Sequence, residues 1–331
     1  MTRPVASPSA DTAADSQARA ALGAGILCYV LWGFFPLLFQ QMAHLGADPW
    51  EIMANRMVWG LAGAGVLVAI TRQGRSALAV LSSPRTLGWL AASATLIALN
   101  WSVYIVSVNT GRTLDASLGY YLNPLLNMAA GAWLFRERVD RLGLIAIALA
   151  GVGVLLQALA LGHVPWISLL LALSFCGYGV IRKRVQVEAG VGLLVECLLL
   201  AVPGLIWLVW IQVNGTGHLF DSPASTLWLV AAGPATVIPL ALFAWAARRM
   251  PLSGMGFIQF LAPTIVFAIG VAQGETLGPL RTISFVFIWG GAVVFALGIL
   301  RNVQRNRRSA EAVLAPEPGL IDDPAEDRTR G

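Results

Sequence analysis

From residue 22 to residue 300 the chain repeats one unit: about twenty residues with almost no charge, a turn of a few residues, then another such run. Residues 142–161 carry no charge at all, and residues 190–212 (GVGLLVECLLLAVPGLIWLVWIQ) carry one. At 1.5 Å per residue, about 20 helical residues cross the ~30 Å hydrocarbon core of a bilayer. In lipid every backbone N–H and C=O must be satisfied internally, so only helices or a closed barrel can span it. With 57% hydrophobic and only 12% charged residues, against roughly 25% charged in a soluble domain, the chain is expected to be an all-α integral membrane protein. Ten transmembrane helices are expected, at 22–42, 50–71, 86–108, 114–135, 140–160, 164–182, 190–212, 226–247, 253–273 and 280–300.

The connections alternate in charge. Arg3 and Arg19 precede the first helix; Arg72, Arg75 and Arg85 follow the second; Arg136, Arg138 and Arg141 the fourth; Arg182, Lys183 and Arg184 the sixth; Arg248 and Arg249 the eighth; Arg301, Arg305, Arg307 and Arg308 the tenth. The opposite connections hold only Arg112 and Arg281. Cytoplasmic loops are enriched in Lys and Arg, so both termini are expected in the cytoplasm and the number of spans must be even. The net charge of +5 is therefore read as topology, with no nucleic-acid partner, since the basic residues form no single stripe. Residues 1–20 and 301–331 are polar, and both are expected to be disordered.

Several functional classes are disfavoured. Cys28, Cys176 and Cys197 each lie within an apolar run without a CxxC or His-rich neighbour, so neither a disulfide framework nor a zinc site is expected. His44, His163 and His218 fall in or near the outer connections. No GxxxxGK[ST], no HExxH and no nucleophile with a base and an orienting partner occurs, which argues against an ATP-driven pump and a zinc protease. No catalytic residue, metal or cofactor is expected.

A weak internal repeat points elsewhere. YYLNPLLN in the fourth helix aligns with QFLAPTIV in the ninth, placing Tyr120 to Pro124 over Gln259 to Pro263; Glu137 and Glu275 then follow their prolines by thirteen and twelve residues. Five spans per copy start the second copy on the other side of the membrane, so residues 21–160 and 161–300 are expected to form two five-helix halves as a 5+5 inverted repeat. That is a transporter signature. Between the two proline-bearing helices, with Asn123-Pro124 breaking the fourth near mid-membrane, a site is expected.

Polar residues inside these helices are the candidates for it. Arg56 lies about six residues, roughly 9 Å, below the outer end of the second helix, and Glu196 lies equally deep from the cytoplasmic end of the seventh. A charge at such depth is costly unless it meets a cavity or a partner. Either Arg56 faces a solute path, or it snorkels outward and pairs with Glu51; either Glu196 takes part in coupling, or it pairs with a basic residue such as Arg182. Asn100, Trp101 and Tyr104 share one face of the third helix, and Asn123 and Asn127 bracket Pro124. These amides can serve a solute or act as glue between helices. Substrate contact is assigned to Arg56, Asn100, Tyr104, Tyr120, Asn123 and Gln259, and coupling to Glu196. Trp50, Trp89 and Trp166 read as interface anchors, and Arg136, Glu137 and Arg138 as a salt-bridged lock.

The runs LNWSVYIVSVNTGRTLDASLGYYLNPLLNMAAGAWLFRERVDRLGLIAIALAGVGVLLQ, LALSFCGYGVIRKRV, GLLVECLLL and TVIPLALFAWAARRMPLSGMGFIQFLAPT resemble the RarD group of EamA-type permeases in the drug/metabolite transporter superfamily. The resemblance runs from about Gly25 to Leu300. It implies a central cavity lined by helices 1 to 4 and 6 to 9, with helices 5 and 10 at the back. It also implies secondary transport of a small organic solute or metabolite by alternating access in the bacterial inner membrane, as a monomer or homodimer among membrane lipids. In two places the chain departs from that group: the usual His before the helix 2 arginine is Asn55, and the usual Thr after the helix 7 glutamate is Cys197. The competing classes are a membrane-embedded enzyme acting on a lipid or isoprenoid, which would gather acids or histidines at one interface, and a non-transporting accessory protein, which would need no polar cavity.

Overall fold

The computed structural model describes residues 8–134, 136, 140–247, 249 and 258–314, and among them every regular element is a helix. They are α1 (Pro8–Gly33), α2 (Phe35–His44), α3 (Pro49–Ile70), α4 (Gly74–Leu81), α5 (Pro84–Asn109), α6 (Thr113–Leu134), α7 (Arg141–Leu161), α8 (Trp166–Arg184), α9 (Ala189–Val213), α10 (Pro223–Ala247), α11 (Leu261–Ala272) and α12 (Pro279–Leu314). Local chemistry explains many of the boundaries. Asp48 caps α3 by accepting from the N–H groups of Trp50 and Glu51 at 2.6 and 3.0 Å, ahead of a proline whose missing N–H costs nothing at a helix start. Asp140 accepts from Gly143 N–H at the start of α7, and Gly162, at φ 68°, ends that helix in the left-handed region.

Among the described residues seven stretches are long and apolar enough to cross a membrane: Arg19–His44, Pro49–Ile70, Pro84–Asn109, Arg141–Leu161, Ala189–Val213, Pro223–Phe243 and Pro279–Gly298. Trp166–Arg182 and Leu261–Ala272 are shorter apolar helices. α6 carries Asp115, Tyr120, Tyr121, Asn123 and Asn127 among its apolar residues. Helices overlap the expected segments where these are described, with the ninth represented by Leu261–Ala272 and the first by a pair, α1 and α2, interrupted at Phe34 just before Pro36.

Several expectations are corrected. Helix begins at Pro8, inside the stretch 1–20 expected to be disordered, and α12 continues to Leu314, inside 301–331. The first extension is rich in Ala and the second in Arg and Ala, strong helix formers despite their place in polar stretches. The short α4 in the 71–85 connection was not anticipated. α6 runs unbroken through Pro124, so the proline removes one backbone bond without interrupting the helix. Residues 253–257 of the expected ninth helix lie outside the described residues, as do Glu137 and Arg138 of the expected lock.

The packing is symmetric in a specific way. With α1/α2, α3, α5, α6 and α7 as one half and α8 to α12 as the other, α3 packs on α9, α6 on α11 and α7 on α12, each against its own counterpart. Most of the remaining cross-half contacts come in matched pairs, α5 with α8 and α1 with α10, α6 with α8 and α1 with α11, α3 with α10 and α5 with α9, while α6 with α12 and α4 with α9 stand outside the pattern. A contact pattern that survives exchange of the halves is what an inverted repeat produces. Between α7 and α12 the backbones nearly touch: a Cβ on Gly153 would lie 3.0 Å from the Ser284 carbonyl, and Ser284 Oγ donates to the Gly153 carbonyl at 2.7 Å. Small residues permit this approach, the main source of helix association where lipid supplies no hydrophobic drive. Leu155, Leu159, Val202, Ile206 and Val209 are all exposed and form part of the lipid-facing surface. Trp50, Trp89 and Trp166 are exposed near helix starts.

Candidate functional site

A cavity of about 460 Å³ lies within the bundle, lined from α1, α2, α3, α5, α6, α8, α9, α10 and α11 and from Gln259, with no contribution from α7 or α12. Arg56, Asn100, Tyr104, Tyr120, Asn123, Glu196 and Gln259 all line it. The lining runs from Arg56 and Tyr104 to Arg182, Ala189 and Gly190, toward the end of the bundle that carries the basic connections.

At one end of the cavity sits Arg56, 5% exposed. Its Nε donates to Thr236 Oγ1 at 3.0 Å, while its guanidinium carbon lies 4.0 Å from the ring centre of Trp101 and 5.4 and 5.5 Å from those of Phe35 and Phe39. Among the described residues no carboxylate forms an ion pair with it. Glu51, the alternative partner, is fully buried and instead accepts from His218, through the backbone N–H at 2.7 Å and from Nδ1 at 2.8 Å. Cation–π contacts contribute roughly 2 kcal/mol or more when desolvated, which offsets only part of the cost of a buried charge. Helix proximity sets the geometry: a Cβ on Gly233 would fall 2.5 Å from the Trp59 carbonyl, so only glycine lets α10 come close enough to α3 for Thr236 to reach Arg56.

Glu196 lies toward the other end of the cavity and is 2% exposed. It accepts from Ser93 Oγ at 2.5 Å and Tyr178 OH at 3.3 Å, and Arg182 Nη1 stands 3.8 Å away. Pairing with Arg182 and facing the cavity are thus both true of it.

The amides divide. Asn100 Nδ2 donates to the Leu171 carbonyl at 2.8 Å and to Ser174 Oγ at 3.1 Å, and its Oδ1 accepts from Tyr120 OH at 3.2 Å. Asn100 therefore ties α5 to α8 and fixes Tyr120, whose ring meets Tyr104 edge-on at 5.2 Å. Asn123, 2% exposed, lines the cavity and has a buried Oδ1 with no hydrogen-bond partner among the described residues. Asn127 is exposed and also lines the cavity, as does Gln259 just ahead of α11. Among the described residues no three His, Cys, Asp or Glu side chains are placed to hold a metal ion.

At the opposite end of the bundle the two halves are cross-linked. Glu275 accepts from the backbone N–H groups of Thr113 and Leu114 at 2.6 and 2.9 Å, capping α6 from the other half. Asp115 binds Arg281 at 2.7 Å and Arg112 at 3.0 Å. Gln40 and Gln273 exchange hydrogen bonds at 3.1 and 2.6 Å.

Residues 19–159 match the model of the EamA-like transporter family. A protein named as an uncharacterized transporter in Pseudomonas aeruginosa is 40% identical over 89% of this chain and 96% of its own. RarD of Escherichia coli K12 is 36% identical over 88% of this chain and 99% of its own. The chain is a RarD-type member of the EamA family. A solved crystal structure shares the fold at a TM-score of 0.57 with 22% identity, covering 84% of this chain and 98% of that one. As a RarD-type protein it is a multi-pass membrane permease of the drug/metabolite transporter superfamily.

Its two departures from the RarD pattern fall beside the site. Asn55 is fully buried, donates to the Glu51 carbonyl at 3.0 Å and does not line the cavity. Cys197 packs with Ala64, Leu193 and Val237. Thr236, Phe35, Phe39, Ser93 and Tyr178 were not singled out from the residues, and Trp101 was placed on the right face of its helix without a role. Tyr178 and Arg182 had a signal, since both lie in the SF-x-x-YG-x-x-RK run. Thr236 and Ser93 had none: one hydroxyl in an apolar helix looks like any other until its partner is known.

Proposed function

We propose that the protein is a secondary-active permease of the bacterial inner membrane, with both termini cytoplasmic, that moves a small organic solute by alternating access through the central cavity. The observation that carries this is Arg56: a buried cation with no ion pair among the described residues, held on aromatic rings at one end of a cavity whose lining also includes amides, tyrosines, apolar side chains and the Glu196–Arg182 pair. Such a charge attracts a carboxylate or another anionic group. The tyrosines and Asn123 supply hydrogen bonds, and Glu196 exchanges a cation or proton against Arg182. With the basic connections inside, the cavity runs toward the cytoplasm while the Glu275, Asp115 and Gln40 contacts close the outer end, which fits an inward-facing state. Cofactors play no part in this scheme, and membrane lipid is the surrounding partner.

The test begins with a thermal-shift screen of small organic solutes on purified protein, because a ligand of the folded state raises its stability by mass action. For a solute found in this way, Arg56→Ala is expected to abolish uptake in proteoliposomes while the protein remains monodisperse in detergent. Uptake equal to wild type would remove Arg56 from the path.

A further inference from the structure

We propose that Thr236 is a positioning residue that fixes how Arg56 presents its charge, so that the site selects solutes bearing a planar carboxylate; the inference rests on the permease reading above. Thr236, 1% exposed, donates its own hydroxyl proton to the Ala232 carbonyl at 2.9 Å. Its oxygen is thereby left with lone pairs for Arg56, and it accepts from Nε at 3.0 Å. That bond commits the inner edge of the guanidinium to α10, and Trp101, Phe35 and Phe39 surround its faces. Only the Nη1/Nη2 edge remains. Two parallel N–H donors in one plane match the two coplanar oxygens of a carboxylate.

Charge count narrows the choice further. A monoanion is neutralised by Arg56 alone. A phosphate dianion would need a second cation, and Arg182, the other arginine lining the cavity, is already matched by Glu196 at 3.8 Å. If the Thr236 bond is lost, the guanidinium can rotate in its aromatic sleeve and the fork no longer points into the cavity. Charge stays, direction goes. Specificity should then fall more than maximal rate.

The experiment uses the full chain in proteoliposomes and paired probes: benzoate with benzamide, 3-phenylpropionate with 3-phenylpropionamide, and nicotinate with nicotinamide. Wild type is expected to take up at least one acid at least tenfold better than its amide, as kcat/KM. Thr236→Val, which keeps the shape and removes the acceptor, is expected to raise KM for the acid about tenfold, the size of a lost hydrogen bond to a charged group, with kcat and the amide's KM little changed. Thr236→Ser should restore the wild-type ratio. Thr236→Ala repeats the deletion should the valine variant fail to fold, and melting temperatures identify that case. An unchanged acid-to-amide ratio in folded Val and Ala variants overturns the role of Thr236, and a wild type that transports the amides as well as the acids overturns selection for carboxylate. Either result leaves the permease reading standing, because flux is present. Flux no faster than in protein-free vesicles, for these probes and for every solute that stabilises the protein, overturns both.

Discussion

At the scale of single residues, the two deep charges have unequal surroundings. Arg56 has aromatic rings and one hydroxyl; Glu196 has Ser93, Tyr178 and Arg182. A carboxylate with an exchangeable cation beside it and access to the cavity can take up and release a proton as Arg182 moves toward it or away. Glu196→Gln keeps the shape and removes the charge. It should leave solute binding within a few fold and make uptake insensitive to an imposed pH gradient, measured in proteoliposomes with a pH step; retained sensitivity would exclude Glu196 from coupling. Residue identity and depth were readable from the chain: a charged side chain six residues into a twenty-residue apolar run is conspicuous. Whether Arg56 found Glu51 was not readable, because Glu51 is taken by His218, 167 positions away. Asn100 shows the converse. It lines the cavity as expected, yet three hydrogen bonds make it a brace between helices, and only the facing residues reveal that.

At the scale of elements, one feature of α6 stands out. Its first backbone N–H groups are capped by Glu275 from the connection between α11 and α12, a bond that exists only while these ends of the two halves stay together. An N-cap of this kind contributes about 1 kcal/mol, enough to shift a two-state balance by roughly fivefold. In a background with the three cysteines replaced by serine, Glu275→Ala should therefore increase labelling of Ser107→Cys by a membrane-impermeant maleimide roughly fivefold from the outer side. Ser107 lies buried one residue before Val108, whose carbonyl accepts from Gln40 at 2.8 Å. An unaltered labelling rate would show that the cap plays no part in closure. Element positions were legible because hydropathy reports burial in lipid directly. Their ends were less so: helix propensity carries α1 and α12 beyond the apolar stretch, and a proline reads as a break even where the helix continues through it, as in α6.

At the scale of the molecule, topology and repeat make joint demands. If the basic connections face the cytoplasm, His163→Cys, in the exposed connection after α7, should react with an impermeant maleimide in intact cells. Glu188→Cys, ahead of α9, should react only after permeabilisation. Reversed reactivity would invert the orientation and with it the reading of the cavity as inward-facing. The sequence by itself determined the solvent, the number of apolar segments, their alternating charge and the candidate polar residues, because each follows from what lipid permits along a single helix. Tertiary structure alone decided which candidates meet. Contacts between α3 and α10, α5 and α8, and α6 and α11 join residues 71 to 180 positions apart, and hydropathy, a property of one helix at a time, contains nothing about its partner. Through those contacts an unexceptional threonine comes to accept a hydrogen bond from the buried Arg56.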